Sequence, residues 1–401
     1  MIFIQIASYR DKQLYPTIRQ CIDMAKHPEN LSFGICWQHD DTENLYELVN
    51  DPRIRISAHP YQESKGACWA RSITQSLYRG EAFTMQIDSH SRFVKDWDEI
   101  LVNTWLDLAD PKAILTCYPP NYTPDTDPSL WYHIPQICNV YKFIHKYTIS
   151  RPMDMPEWEN RDKARRGVFV AAGFIFGPGK IIADVPYDPE FYFTGEEIAL
   201  TVRYFTHGYN IYHPHRLILH HYYSRPNDPK HWGDNQKWGE YDREAHRRLD
   251  GLLGFIELDL GKFGLGNART LEDFKNYSGI DYDKKVVHEK TEKGGEPPME
   301  YDEEGWNNVI ETYSDFLNWD PTNIDTADDV TFWAMIIQDQ DSIAIHRHDI
   351  LKENRPDIIN KEVNSFGFEF DYNPKKQKVS SLLIWPYSAS KGWLNNTTFK
   401  L

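Results

Sequence analysis

Asp88 and His90 stand two residues apart where an apolar run, Phe83 to Ile87, stops. Side chains on a strand alternate between faces, so a strand ending in Asp-x-His offers a carboxylate and an imidazole on one side. In an open α/β sheet, that carboxyl edge is where ligands bind. A carboxylate oxygen with an imidazole nitrogen suits a divalent cation such as Mn²⁺, with Mg²⁺ as the alternative. Taken alone, Asp-x-His is also compatible with an exposed polar turn, so the surrounding motifs carry weight.

Four other groupings bear on the choice. Ser8-Tyr9-Arg10-Asp11 follows the first apolar run, a position that contacts nucleotides in doubly wound sheets. Tyr9 can stack on a base and Arg10 can pair with phosphate; the plainer alternative is a helix start capped by Ser8 or Asp11. In Lys65-Gly66-Ala67-Cys68-Trp69-Ala70-Arg71, Gly66 opens a helix. Helix N-termini attract anions, and Lys65 and Arg71 would add charge for a diphosphate. In Phe193-Thr194-Gly195-Glu196-Glu197, Gly195 leaves room for a ligand. Glu196 and Glu197 either complement the helix dipole or place a carboxylate beside the reacting sugar or acceptor hydroxyl. Lastly, His213-Pro214-His215 and His220-His221-Tyr222-Tyr223-Ser224-Arg225 put histidines at a strand end. His220 or His221 can complete the metal site, and Arg225 can reach the phosphates.

These residues need a frame to position them. Ile2–Ala7, Leu31–Trp37, Phe83–Ile87 and Ala113–Tyr118 read as strands. Helical spacing separates them, in Leu14, Ile18, Cys21, Ile22 and Ala25, then in Trp69–Tyr78, then in Trp97, Ile100, Leu101, Trp105 and Leu108. This rhythm predicts a largely parallel sheet covered by helices. Pro119–Arg166 reads as a Pro- and Tyr-rich recognition loop. Val168–Phe176, a helix at Glu196–His207, and strands at Tyr209–Tyr212 and Leu217–His221 follow. Residues 1–280 therefore read as one catalytic domain. Residues 281–305, dense in Lys, Glu, Gly and Pro, read as a linker. Residues 306–401 read as a small β-rich module: Trp306, Val309, Ile310, Tyr313 and Phe316 form an amphipathic turn sequence, before strands at Val330–Ile337, Ser342–His346, Phe366–Tyr372 and Val379–Trp385.

Composition narrows the class. The net charge of −16 argues against nucleic acid as a partner. Thirteen Trp and 24 Tyr suit stacking on sugars or bases and exclude a disordered chain. The five cysteines are scattered without a C-x-x-C pair, as expected of free buried thiols in a reducing compartment. No apolar run is long enough to span a membrane, and Ile2–Ile6 is too short for a secretory signal. The expectation is a cytoplasmic, soluble protein.

Five blocks in order carry a resemblance: I-A-S-Y-R-D at 6–11, K-G-A-C-W-A-R at 65–71, Q-I-D-S-H-S-R-F-V-K-D-W-D at 86–98, A-G-F-I-F-G at 172–177 and V-P-Y-D-P-E-F-Y-F-T-G-E-E-I-A-L at 185–200. Over roughly residues 1–250, the chain resembles the cytoplasmic N-acetylglucosaminyltransferases that act on hydroxyproline of the SCF ubiquitin-ligase linker protein. The resemblance implies a GT-A fold, UDP-GlcNAc as donor, a divalent cation and retention of the α configuration. The D-x-H is also similar to that of the polypeptide GalNAc-transferases, which implies His220 or His221 as third ligand. Two alternatives stay open: another nucleotide sugar with a glycan, small-molecule or modified-nucleobase acceptor, and a non-catalytic sugar-binding protein. The C-terminal module lies outside the resemblance. Its aromatics Trp385, Tyr387 and Trp393 suggest a docking surface for a protein or glycan acceptor, or for a second copy in a homodimer.

Overall fold

A computed structural model describes residues 1–40, 45–144, 146–225, 228–307, 311–318, 324–325, 327–352, 365–374 and 377–401. The chain forms two compact units. One comprises Met1–Tyr141, Tyr147–Tyr282 and Lys290–Tyr301; the other comprises Lys142–Lys146, Asp283–Glu289 and Asp302–Leu401.

The first unit is built on β1 (Ile2–Tyr9), β2 (Leu31–His39), β3 (Ile54–Pro60) and β4 (Phe83–Asp88). Next come β5 (Ser91–Phe93), β6 (Ala113–Thr116), β7 (Gln136–Ile144), β8 (Tyr147–Asp154), β9 (Arg165–Arg166), β10 (Phe174–Pro178), β11 (Asn210–His213) and β12 (Leu219–His221). Eight of them form one sheet in the order β3-β2-β1-β4-β10-β6-β11-β9. The β1–β2, β2–β3, β1–β4 and β6–β11 pairs are parallel. β10 runs antiparallel to both of its neighbours. This is the mixed, mostly parallel α/β architecture expected of a GT-A nucleotide-sugar transferase.

The near-continuous apolar runs of β1 and β2 follow from burial on both faces. Ile4, Ile6, Phe33 and Ile35 are all fully buried, each stabilising the fold by about 1.5–3 kcal/mol. The Leu14–Asp23 and Trp97–Leu106 helices pack Leu14, Ile18, Trp97 and Leu101 against this core. All five cysteines are buried and free. Among the described residues, no helix is long and apolar enough to cross a membrane.

Two stretches differ from expectation. The loop expected at Pro119–Arg166 contains β7 and β8. The prolines that suggest a loop cluster ahead of β7, whose Ile137, Val140 and Tyr141 favour a strand. Val168–Phe176 is extended only from Phe174 onward, which leaves Ala171–Gly173 as backbone facing the site described below.

In the second unit, Glu311–Asn318 pairs antiparallel with Ser365–Tyr372. Val330–Asp339 pairs with Ala344–Leu351 on one side and with Val379–Ser388 on the other. Trp333, Met335, Ile337, Phe368, Phe370, Leu382 and Ile384 form its core. Trp333, Met335 and Ile337 alternate along Val330–Asp339 onto this core. Tyr313 and Phe316 thus belong to a strand rather than to a turn sequence; Val309 and Ile310 lie outside the described residues. Trp393 is exposed, and Trp385 donates its indole N–H to Leu394 O at 2.7 Å.

Candidate metal centre

The sheet order reverses between β1 and β4, since β1 continues to β2 and β3 on one side and β4 leads away on the other. Ligand sites of open α/β sheets form at such a point, beyond the strand carboxyl ends. Asp88 closes β4 there, opposite Ala7 of β1. The chain then turns through Ser89 and His90 into β5. Thr17 of the Leu14–Asp23 helix fixes that turn, donating its hydroxyl to Ser89 O at 2.8 Å. β5 pairs antiparallel with β12, setting His221 opposite Ser91 and His220 opposite Arg92.

This register brings three ligand types together. Atoms of Asp88, His90 and His221 that can bind a metal all lie within 4.8 Å of one another. His221 Nε2 is 3.0 Å from Asp88 Oδ2. His220, on the opposite face of the strand, packs its ring against Trp131 and His133 and is not part of the cluster. Gly173 abuts the site from β10's approach: a Cβ there would press on Asp88 Oδ2 at 3.1 Å.

Electrostatics favour binding-ready ligands. Burial pushes Asp88 up, but the His221 hydrogen bond and the Arg71 charge hold it well below the usual carboxylate range. Burial lowers His221 despite Asp88, which favours the neutral imidazole that a metal ligand must offer. The set of one carboxylate and two imidazoles fits a divalent transition ion better than Mg²⁺, which prefers oxygen.

The sequence places Arg71 at the diphosphate. In the structure, its buried guanidinium instead bridges two carboxylates, donating to Asp88 Oδ1 at 2.8 Å and also to Glu196 Oε1. Tyr187 donates to the same Glu196 oxygen at 2.7 Å. Glu196 is therefore a buried anchor that orients Asp88 through Arg71. Glu197 differs: its Oε2 accepts from Tyr118 Oη at 2.6 Å and its Oε1 from the Ala172 N–H at 2.8 Å. Burial pushes Glu197 up to about 7, against the lowering by those two donors.

That shift has a testable consequence. The unfolded Glu197 carboxyl titrates near 4.5, so the native state holds the proton more tightly. Its contribution to stability is full below about pH 4.5 and is lost as pH rises through about 7. Melting curves of wild type and Glu197→Gln between about pH 5 and about pH 8 should show wild type losing ground as pH rises. A pH-independent difference would refute the elevated carboxyl.

The remaining candidates are placed as follows. Tyr9 Oη and Arg10 Nη1 both donate to Asp234 Oδ2, at 2.9 and 2.8 Å, and Arg10 Nε donates to Asp40 at 3.0 Å. Arg10 holds a φ of 45°, in the left-handed region. Ser8 is buried beneath them. Lys65 is exposed at the start of the Ala67–Ser76 helix. Gly66 has a φ of 109°, and a Cβ there would lie 2.5 Å from the Tyr192 ring. Gly195 likewise faces Leu249 at 2.6 Å, so packing of the chain on itself is enough to require a glycine at both positions. Arg225 Nη1 donates to Asp11 Oδ2 at 3.1 Å. Sequence reasoning missed Tyr118 and Asp234. No local pattern marks either, and Asp234 is 225 residues from Tyr9.

The model of the Glycosyltransferase (GlcNAc) family matches residues 1–47 and 43–284. The chain belongs to this family. The match takes in every residue of the cluster described above and stops short of most of the second unit. No curated protein matches the chain. Among solved structures, it is similar to GalNAc-T7 with UDP, GalNAc and Mn²⁺, at 14% identity and a TM-score of 0.49, covering 69% of this chain and 54% of that one. The chain thus spans about half the length of that relative. It is also similar to S. aureus TarS residues 1–349 in complex with UDP-GlcNAc, at 10% identity and a TM-score of 0.41, covering 64% of this chain and 68% of that one.

Proposed function

We propose that the chain is a metal-dependent, retaining glycosyltransferase that moves GlcNAc from UDP-GlcNAc to a hydroxyl acceptor. Protein hydroxyproline is the acceptor that the sequence resemblance names. The observation carrying this reading is the convergence of Asp88, His90 and His221 at the switch point of the sheet, in a member of the Glycosyltransferase (GlcNAc) family. These three residues would hold Mn²⁺, or Mg²⁺ in its place. When bound, the cation would neutralise diphosphate charge as UDP departs.

The protein's own groups prepare the site. Arg71 and Glu196 fix Asp88 in one orientation. Tyr9 and Arg10 lie at the end of β1, beside the switch point, where a nucleotide would bind. Transfer breaks the bond from sugar C1 to the diphosphate and forms one to the acceptor oxygen, whose proton must leave. Glu197, poised near neutrality, can hold or release a proton. The second unit would select the acceptor or mediate self-association.

Two measurements test the donor. Mn²⁺ with UDP should raise the melting temperature by mass action, by about 2.7 kcal/mol of stability at 100 times Kd. UDP-GlcNAc should be hydrolysed without acceptor, and EDTA should stop it. A shift with a different nucleotide and none with millimolar UDP would overturn the donor assignment.

A further inference from the structure

We infer that Asp11 is a positioning residue that aims His90 at the metal. This rests on the metal-dependent reading above and extends it to a residue that does not itself belong to the ligand cluster. Asp11 begins the turn between β1 and the Leu14–Asp23 helix, and its side chain is only 2% exposed. One oxygen, Oδ2, accepts from His90 Nδ1 at 2.7 Å, from Ser89 Oγ at 2.6 Å and from Arg225 Nη1 at 3.1 Å. The other, Oδ1, accepts from the Gln13 N–H at 2.8 Å. The carboxylate is thus held from four directions.

The consequence for His90 is specific. An ionised carboxylate only accepts hydrogen bonds. His90 Nδ1 must therefore carry the hydrogen, which leaves the Nε2 lone pair for a cation. A carboxylate behind a ligating imidazole fixes both the tautomer and the ring plane, and makes the nitrogen more basic. Ser89, the middle residue of the Asp-x-His motif, joins the same anchor. The motif is consequently tied to the β1 turn, and Arg225, from beyond β12, is tied to the same point. A helix cap was one sequence reading of Asp11, but the Leu14–Asp23 helix has Gln13 at its N-cap with no side-chain cap bond, and the Asp11 contact to the Gln13 N–H holds the turn before it.

The test compares wild type with Asp11→Asn and Arg225→Met, in full-length protein. Isothermal titration with Mn²⁺ alone, without nucleotide, should show affinity about 10–100-fold weaker for Asp11→Asn. Arg225→Met removes a cation that shares the same oxygen and should not weaken Mn²⁺ binding. The ¹⁵N imidazole shifts of metal-free protein should report Nδ1–H at His90 in wild type and a mixture of tautomers in Asp11→Asn. That signal would not move if Asp11 served only to cap the helix. Equal Mn²⁺ affinity in wild type and Asp11→Asn would overturn the positioning role while leaving the metal centre intact. Wild-type protein that binds no Mn²⁺ would overturn both readings. Loss of affinity in Arg225→Met equal to that in Asp11→Asn would assign the effect to the arginine and overturn the role of Asp11.

Discussion

Asp88→Asn should lower metal-dependent hydrolysis of UDP-GlcNAc by about 10²–10³-fold, the scale seen when a preorganised charge-stabilising group is removed. The residue does two jobs at once. It offers a carboxylate to the cation site, and it accepts from Arg71 at 2.8 Å and from His221 Nε2 at 3.0 Å. An asparagine oxygen can still accept from Arg71 but carries no charge. Stability without metal should therefore fall by only about 1.5–3 kcal/mol, the value of a hydrogen bond to a charged group. Melting in EDTA separates the two effects: a modest shift with a large loss of turnover is the expected pair. Turnover close to wild type in Mn²⁺, or full wild-type activity in EDTA, would sink the metal-centre reading.

Arg71→Met should act chiefly on stability. Its guanidinium is the shared partner of Asp88 and of Glu196, which is only 4% exposed. Removing one partner of a buried ion pair strands the other charge and costs about 3–5 kcal/mol. Lysine should rescue poorly, because one ammonium cannot reproduce a planar fork that reaches two carboxylates. Adding Glu196→Gln to Arg71→Met should recover part of the loss by removing one stranded charge. Chemical denaturation measures all of these variants. If Arg71→Met instead folds with wild-type stability but loses UDP affinity, the guanidinium serves the diphosphate directly and the bridging role is wrong.

The Arg71 case shows where sequence reasoning stops. A cation one turn into a helix that opens on Gly66 fits an anion site, and nothing local argues otherwise. Only the folded chain, which brings Asp88 at the end of β4 and Glu196 within reach of this side chain, shows the charge already paired. Gly66 and Gly195 teach the same lesson: a glycine signals a close approach, but the approaching groups are Tyr192 and Leu249 of the chain itself. Tyr118 was invisible because its importance lies in its contact with Glu197, 79 residues away.

The sequence by itself determined the strand and helix alternation of the first unit, through burial periodicity that only certain elements satisfy. It also determined the Asp-x-His at the end of β4, because a strand that stops at the sheet edge leaves those side chains at its mouth. The β character of the second unit was legible for the same reason of alternation, except at Tyr313 and Phe316. The tertiary structure decided which histidine joins the cluster. His220 and His221 are adjacent and chemically identical, and a shift of one residue in strand register would exchange their faces. The pairing of β12 with β5, set by residues more than a hundred positions apart, turns His221 toward Asp88 and His220 toward Trp131. Register depends on long-range packing, and no local pattern in the chain encodes it.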